Sequence, residues 1–474
     1  MRRSILLLLL LLAASGSARA TTWLVGASRT YTAPSKVSSL VKDGDTVAID
    51  AGTYTEDVAH WTANNLLLMG VGGYAHLNAN GTAFGGKAIW VIGGTNTTVM
   101  NIEFSHCSVP DNNGAGIRQE GVNLTVRHCS FHDNQEGILA GDNPTSDIVI
   151  EYTEFNHNGA GDGYSHNLYI NHVRTLLFRF NWSHRAVVGH ELKSRAYNNV
   201  ILFNRLANEA TGTASREIDL PNGGTAIIAG NEIEQGPAGE NSNIIGFGLE
   251  GLTNPTAQEL YLINNTIVND RGTGSFVNVQ NGTALVKAYN NIFAGPGTIV
   301  LGTAASIDTS HNIYTTVAAA GFVNPAAMDY HLTATAAAVN GGGDVGSVAN
   351  YPLILDYEYV QPAGSGPRTD AGSVDVGAHG YQDPAGIDIL REETASLEIH
   401  PNPISSSAVL SVRGAAPGSY VVIYNVLGAE AMRIPVSGDA VGTLTRGELP
   451  GGTYVAALIQ PGVAAGRIRT IVVR

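Results

Sequence analysis

Basic residues are scarce in this sequence. Lysine and arginine total 26 against 40 aspartates and glutamates, for a net charge of −14, and only five of the 26 are lysine. No global basic surface exists for nucleic acid. Charged residues make up 14% of the chain, against about 25% in a typical domain. The low charge, with 57 glycines and many asparagines and threonines, argues against a helical protein. There are two cysteines, Cys107 and Cys129. Two do not make a disulfide framework, no zinc-ligand spacing accompanies them, and buried free thiols are the expected state. Past residue 20 no run approaches the roughly 18 apolar residues of a membrane helix.

What is there begins with an export signal. Arg2 and Arg3 precede "ILLLLLLLAA", and "ARA" ends at Ala20. Residues 1–20 read as a cleaved secretory peptide. A segment then recurs nine times, ending at Phe104, Phe131, Phe155, Ser183, Leu206, Ile233, Ile267, Phe293 and Tyr314, at intervals of 21 to 34 residues. Each copy is an alternating apolar run. From the fourth onward an asparagine stands two residues before the end: Asn181, Asn204, Asn231, Asn265, Asn291 and Asn312. A period near 25 without helical spacing predicts an all-β parallel solenoid with one coil per repeat and a hydrogen-bonded asparagine ladder at one corner.

The pattern resembles the right-handed parallel β-helix proteins, a group that includes pectate- and alginate-type polysaccharide lyases. It covers residues 21–381. "DGDTVAIDAGTYTEDV" resembles the group's first coil, and "MDYHLTATAAAVNGG" and "SVDVGAHGY" its last. After a linker, 382–394, the tail 395–474 reads as about seven short strands. His400-Pro-Asn-Pro, Asn425-Val-Leu-Gly and Gly452-Thr-Tyr resemble the C-terminal sorting domain of type IX secretion in Bacteroidota. That resemblance implies a small β-sandwich, contact with the type IX machinery, and a secreted or surface-held monomer.

The chemistry concentrates in "VVGHELKSRAYNNV", residues 187–200. Residues 172–195 gather Arg174, Arg179, Arg185, Lys193 and Arg195 against Glu191 alone. Cations clustered on an acidic protein point to an anionic ligand, and an acidic polysaccharide suits the flat face of a solenoid. Strand parity, with Leu168, Leu192 and Ile218 inward, predicts outward columns Asn167–Glu191–Glu217, Tyr169–Lys193–Asp219 and Asn171–Arg195. Arg118 falls in the second column. The same parity turns His190 inward and puts Arg216 inward or on a turn, away from Lys193.

The expected reaction is β-elimination on a uronate polymer, which needs a cation on the carboxylate, a base and an acid. Lys193 or a histidine, His190 or His184, is the candidate base, Arg195 the carboxylate clamp and Tyr169 the acid or, if Lys193 only clamps, the proton carrier. Candidate substrate contacts are Arg118, Asn167, Asn171, His184 and His166. Glu191, Glu217 and Asp219 are candidate Ca²⁺ ligands. "ELKS" followed a coil later by "SREIDL" resembles the alginate lyases, which implies Lys193 and Arg216 as the proton-moving pair. Asp219 stacked on Lys193 would favour its charged form, which opposes a base role. Other readings compete. Glu191 with Glu217 or Asp219 could be the carboxylate pair of a glycoside hydrolase. The solenoid could bind sugar without catalysis. Lys193–Asp219 and Glu191–Arg195 could be plain cross-strand ion pairs.

Overall fold

The structure is a computed structural model, described for residues 20–348, 351–353, 355–370, 372–382, 396–400, 402, 404, 406–425, 430–459 and 467–473. Residues 1–19 of the export signal, 383–394 of the 382–394 linker and part of the sorting-domain motifs (residues 401, 403 and 426–428) lie outside them.

Each repeat becomes one coil. Twenty-nine strands from Thr22 to Thr315 hydrogen-bond in parallel. Around each coil they fall into three columns. The first runs through Ala115–Gln119, Glu136–Ala140, Leu168–Ile170, His190–Ser194, Arg216–Leu220 and Asn243–Phe247. The second runs through Leu124–Arg127, Asn143–Glu151, Val173–Arg179, Asn198–Leu202 and Thr225–Ala229, and the third through Ile102–Ser105, Ser130–His132, Glu154–Asn156, Trp182–His184, Arg205–Ala207 and Glu232–Gln235. The nine repeat ends fall in one continuous register from Phe104 to Tyr314. Their side chains form an inner stack, with Phe104 on Phe131 at 4.8 Å and Phe131 on Phe155 at 5.0 Å. This aromatic and aliphatic column runs through a larger apolar core that also holds Trp61, Trp90, Phe178, Phe247 and Phe276.

The asparagine ladder stands at the corner between the second and third columns. Each Nδ2 donates to the next Oδ1: Asn181 to Asn204 at 3.1 Å, Asn204 to Asn231 at 2.9 Å, Asn231 to Asn265 at 3.0 Å, Asn265 to Asn291 at 3.0 Å and Asn291 to Asn312 at 2.9 Å. The left-handed residue of the corner is the one before each ladder asparagine: Phe180, Phe203, Gly230, Asn264, Asn290 and His311 all have positive φ. The ladder therefore works through its hydrogen bonds and leaves the strained backbone position to its neighbour.

The parallel ladder ends at Thr315, with the last repeat and well before residue 381, to which the resemblance extends the solenoid. The described residues between 317 and 382 include three short antiparallel strand pairs and no further coil. They lie along the solenoid. Val348 and Leu353 cover Leu177, Val200 and Ile227 of the second column. Phe322, Tyr330 and Val376 cover Val268 and Ile292 of the third. Buried His379 pins this strap to the coils, its Nε2 2.5 Å from Glu232 and its Nδ1 3.4 Å from Glu358. Burial opposes its charge, but the hydrogen bonds to these two carboxylates win and lift the imidazole to about 9. Cys107 and Cys129 are buried free thiols, pushed up to about 12 by burial.

The tail has its own apolar core, built on Leu397, Leu410, Val421, Ile423, Ala456 and Ile471. Five antiparallel strands are described, two of them long, Ser407–Asn425 and Glu430–Thr445. The seven short segments of the sequence reading merge because each long strand bends through register shifts without breaking.

Candidate active site

The site lies on the outer face of the first column. Tyr169 pairs in register with Lys193, and Lys193 with Asp219. Neighbouring coils are about 4.8 Å apart, so the three side chains form a rigid row. Arg118 belongs to the same row, with Leu139 between it and Tyr169. It turns toward Glu120, 3.8 Å away.

Lys193 Nζ lies 3.7 Å from Asp219, 3.1 Å from Glu250 and 5.7 Å from the centroid of the Tyr169 ring. Arg195 donates from Nε to the Tyr169 hydroxyl at 2.8 Å, from Nη1 to Asn222 and from Nη2 to Glu250 at 2.6 Å. The Tyr169 oxygen accepts that bond, which leaves its own proton free to be given elsewhere. Asn171 neighbours Arg195 and is half-buried, its side chain accepting from the His172 backbone at 2.9 Å. Two cations, two carboxylates and a phenol thus share one surface, in a chain with five lysines.

Strand parity fails at the start of each site strand. At the corner, two successive side chains both enter the interior: Glu191 with Leu192, Glu217 with Ile218, Ile244 with Ile245, Phe276 with Val277, all at most 1% exposed. The preceding residue is thereby thrown outward. His190 reaches Asp219, Nε2 to Oδ2 3.5 Å, and Arg216 reaches the same carboxylate at 3.3 Å. His190 was expected to face the core and Arg216 to face it or sit on a turn, and both sit beside the Lys193 row.

Glu191, Glu217 and Asn167 were expected outside and are fully buried. Ser183 interrupts the stack of large inner residues, and the polar group fills that space. Asn167 Nδ2 and Ser183 Oγ lie 2.5 and 3.1 Å from Glu191 Oε2, while Oε1 accepts from the Ala186 backbone at 2.9 Å. Asn208 donates to Glu217 at 3.1 Å and holds Ala214 through both its backbone groups. These buried groups brace the loops that lead into the site strands. Burial pushes Glu191 up to about 7. The proposed Ca²⁺ set therefore does not fit: two of its three carboxylates point away from the surface and the third, Asp219, is held by Arg216 and Lys193. Among the described residues, the groups with metal-ligand spacing include none of the three.

His184 is also misplaced by the sequence reading. It lies in the third column, buried between Glu154 and Glu209, 3.1 Å from each, and stacked on Trp182. His166 does underlie the site. Its ring stacks on His190 with centroids 4.8 Å apart and meets Tyr169 edge-on. It accepts from the His190 backbone at 3.0 Å. Burial, then the charge of Lys193, pushes it down to about 3. Burial likewise holds His190 well below its ordinary value. The two imidazoles form a neutral floor. Burial raises the Asp219 carboxyl, against the pull of Arg216 and Lys193. Glu250 and Asn222 complete the site from loops beyond their strands. Burial works against Glu250's charge, yet hydrogen bonds from Arg195 and Lys193 hold its carboxyl below the usual range.

A family model described as the right handed β-helix region matches residues 60–206. The crystal structure of pectate lyase Pel9A superposes with a TM-score of 0.53 at 12% identity, covering 77% of this chain and 97% of that one. Pectin methylesterase PemA from Erwinia chrysanthemi aligns at 13% identity over 45% of this chain and 80% of its own, with a TM-score of 0.30. No curated protein matches the chain. The fold is thus a right-handed parallel β-helix. Among the described residues no helix is long and apolar enough to cross a membrane.

Proposed function

We propose that this protein cleaves an anionic, uronate-containing polysaccharide by β-elimination on the first-column face. The observation that carries the reading is Glu250. Its carboxylate bridges Lys193 and Arg195 at 3.1 and 2.6 Å, where a uronate carboxylate would sit, and it is 47% exposed on a loop that can yield. In the reaction Arg195 and Arg216 hold the substrate carboxylate. Lys193, once its contacts with Asp219 and Glu250 give way to substrate, takes the proton on the adjoining carbon. The electron pair forms the new C=C bond, the bond to the leaving oxygen breaks, and Tyr169 gives that oxygen its proton. The pectate-lyase likeness supports the fold that carries this chemistry. The hydrolase alternative is weaker, because Glu191 and Glu217 are committed inside and Asp219 and Glu250 are both paired to Lys193.

If Glu250 occupies the carboxylate position, its removal frees the clamp. Glu250→Ala is expected to bind polyuronate on the order of tenfold more tightly, because a like charge leaves the binding surface. Calorimetric titration measures this. Weaker or unchanged binding would show that Glu250 supports the site and does not compete for it.

We infer that the tail is an export and sorting unit of the type IX class, cleaved from a secreted or surface-held solenoid. Its separate apolar core supports this. A chain ending at residue 382 is expected to keep the melting temperature of the solenoid and to accumulate inside the producing cell. Secretion without the tail, or loss of folding, would contradict it.

A further inference from the structure

On the third column, away from the proposed cleavage site, His76, Glu103 and His132 converge. His76 pairs in register with Glu103, and Ser105 with His132 on the next coil. The three side chains are therefore set by rigid parallel strands and not by loops. His132 Nε2 lies 3.0 Å and His76 Nε2 3.5 Å from Glu103 Oε1, and the three atoms all lie within 4.8 Å of one another. Two ligands of a tetrahedral zinc ion, each about 2.0–2.1 Å from it, stand about 3.4 Å apart. The observed separations bracket that value, so the site closes on an ion with small side-chain adjustments.

The outer ring of partners has the form a metal site needs. Imidazole ligands usually donate their second N–H to a carboxylate, which fixes ring and tautomer. His132 Nδ1 does so to Asp133 at 2.8 Å, and Asp133 is held in turn by His157 Nδ1 at 2.8 Å. The ligand side chains are neither buried nor free in solvent, with 22%, 26% and 23% exposure for His76, Glu103 and His132. An open depression lined by His106, Asp133 and His157 adjoins them, and the His106 ring centroid is 6.0 Å from that of His132. Two contacts compete, the 2.7 Å hydrogen bond between His76 Nε2 and the Ser105 hydroxyl and the 3.0 Å one between His132 Nε2 and Glu103 Oε1, and ion binding would displace both.

We propose that His76, Glu103 and His132 bind a divalent transition-metal ion of the zinc class, leaving one position open to solvent. Two imidazoles and one carboxylate select zinc-like ions over calcium, which takes six to eight oxygens. A three-ligand site with an open position can hold a water or polarise an oxygen of a bound molecule.

The test uses the full chain without an affinity tag, stripped with chelator and titrated calorimetrically with Zn²⁺ and, separately, Ca²⁺. One equivalent of Zn²⁺ is expected to bind, with no Ca²⁺ binding at the same concentrations. His132→Ala and Glu103→Gln are each expected to weaken Zn²⁺ at least tenfold, and Asp133→Asn about tenfold through the lost outer partner. His331→Ala, in the second such His–Glu group among the described residues, should leave it unchanged. Co²⁺ added to the unaltered chain should give the visible absorption of a tetrahedral site, a readout that needs no variant to fold. No Zn²⁺ binding, no Co²⁺ band, or binding that survives the double variant His76→Ala, His132→Ala would each overturn the proposal.

Discussion

Lys193→Ala is expected to lower turnover on an acidic polysaccharide by on the order of 10²-fold or more, the usual loss for a proton-transfer group. Its effect on stability should stay at about 1 kcal/mol although Asp219 is buried, because each carboxylate keeps another cation. The geometry explains the separation. Lys193 is paired with Asp219 and Glu250, but neither is orphaned without it: Asp219 keeps Arg216 at 3.3 Å and Glu250 keeps Arg195 at 2.6 Å. No buried charge is left alone, which is the condition that makes breaking an ion pair costly. The row Tyr169–Lys193–Asp219 loses only its middle member. Melting temperature and product formation measured on one sample decide the matter. A clear stability loss with full activity would make these residues ordinary cross-strand ion pairs.

The largest expected loss of stability lies at Asn204, which touches no substrate. Its Oδ1 accepts from the Asn181 backbone at 3.0 Å and side chain at 3.1 Å, and its Nδ2 donates to Phe178 O at 2.8 Å and Asn231 Oδ1 at 2.9 Å. It has no solvent exposure, so water cannot replace these bonds. Asn204→Ala strands a buried amide and a buried carbonyl, each costing about 1–3 kcal/mol. A total near 3 kcal/mol is expected on that basis. Asn312, at the open end of the ladder, gives the contrast. It is partly exposed, and its alanine variant should lose about 1 kcal/mol or less. Urea unfolding of the two variants reads the difference. Equal losses would mean that the ladder is not held more tightly inside than at its end.

The ladder was legible because it is periodic: the spacing of Asn181 through Asn312 and the register of Phe104 through Tyr314 are the same fact read twice. Side-chain facing was legible only inside the strands. Tyr169, Lys193 and Asp219 obey alternation because all three are past the corner. Glu191, Glu217, His190 and Arg216 sit at the corner, where two successive residues enter the interior. The alternation rule therefore assigned Glu191 and Glu217 to the surface and His190 to the core, with Arg216 there or on a turn. A hint existed in Ser183, the one small polar residue among the repeat ends, which marks where the interior turns polar. Glu250 and Asn222 come from loops whose reach no spacing encodes. His76, Glu103 and His132 were readable in principle, since each stands next to a repeat-column residue: Leu77, Phe104 and Phe131. They needed the coils to be compared sideways, across strands, and not along the chain.

The central claim is that this face performs elimination, and the ultraviolet absorbance of unsaturated uronate ends tests it most directly. Purified chain is incubated with alginate, pectate and glycosaminoglycans while absorbance and reducing ends are followed together. The account predicts that both rise in step on at least one polyuronate. Reducing ends that appear without absorbance would mean hydrolysis, and binding with neither signal would mean a non-catalytic solenoid. Either result would contradict it.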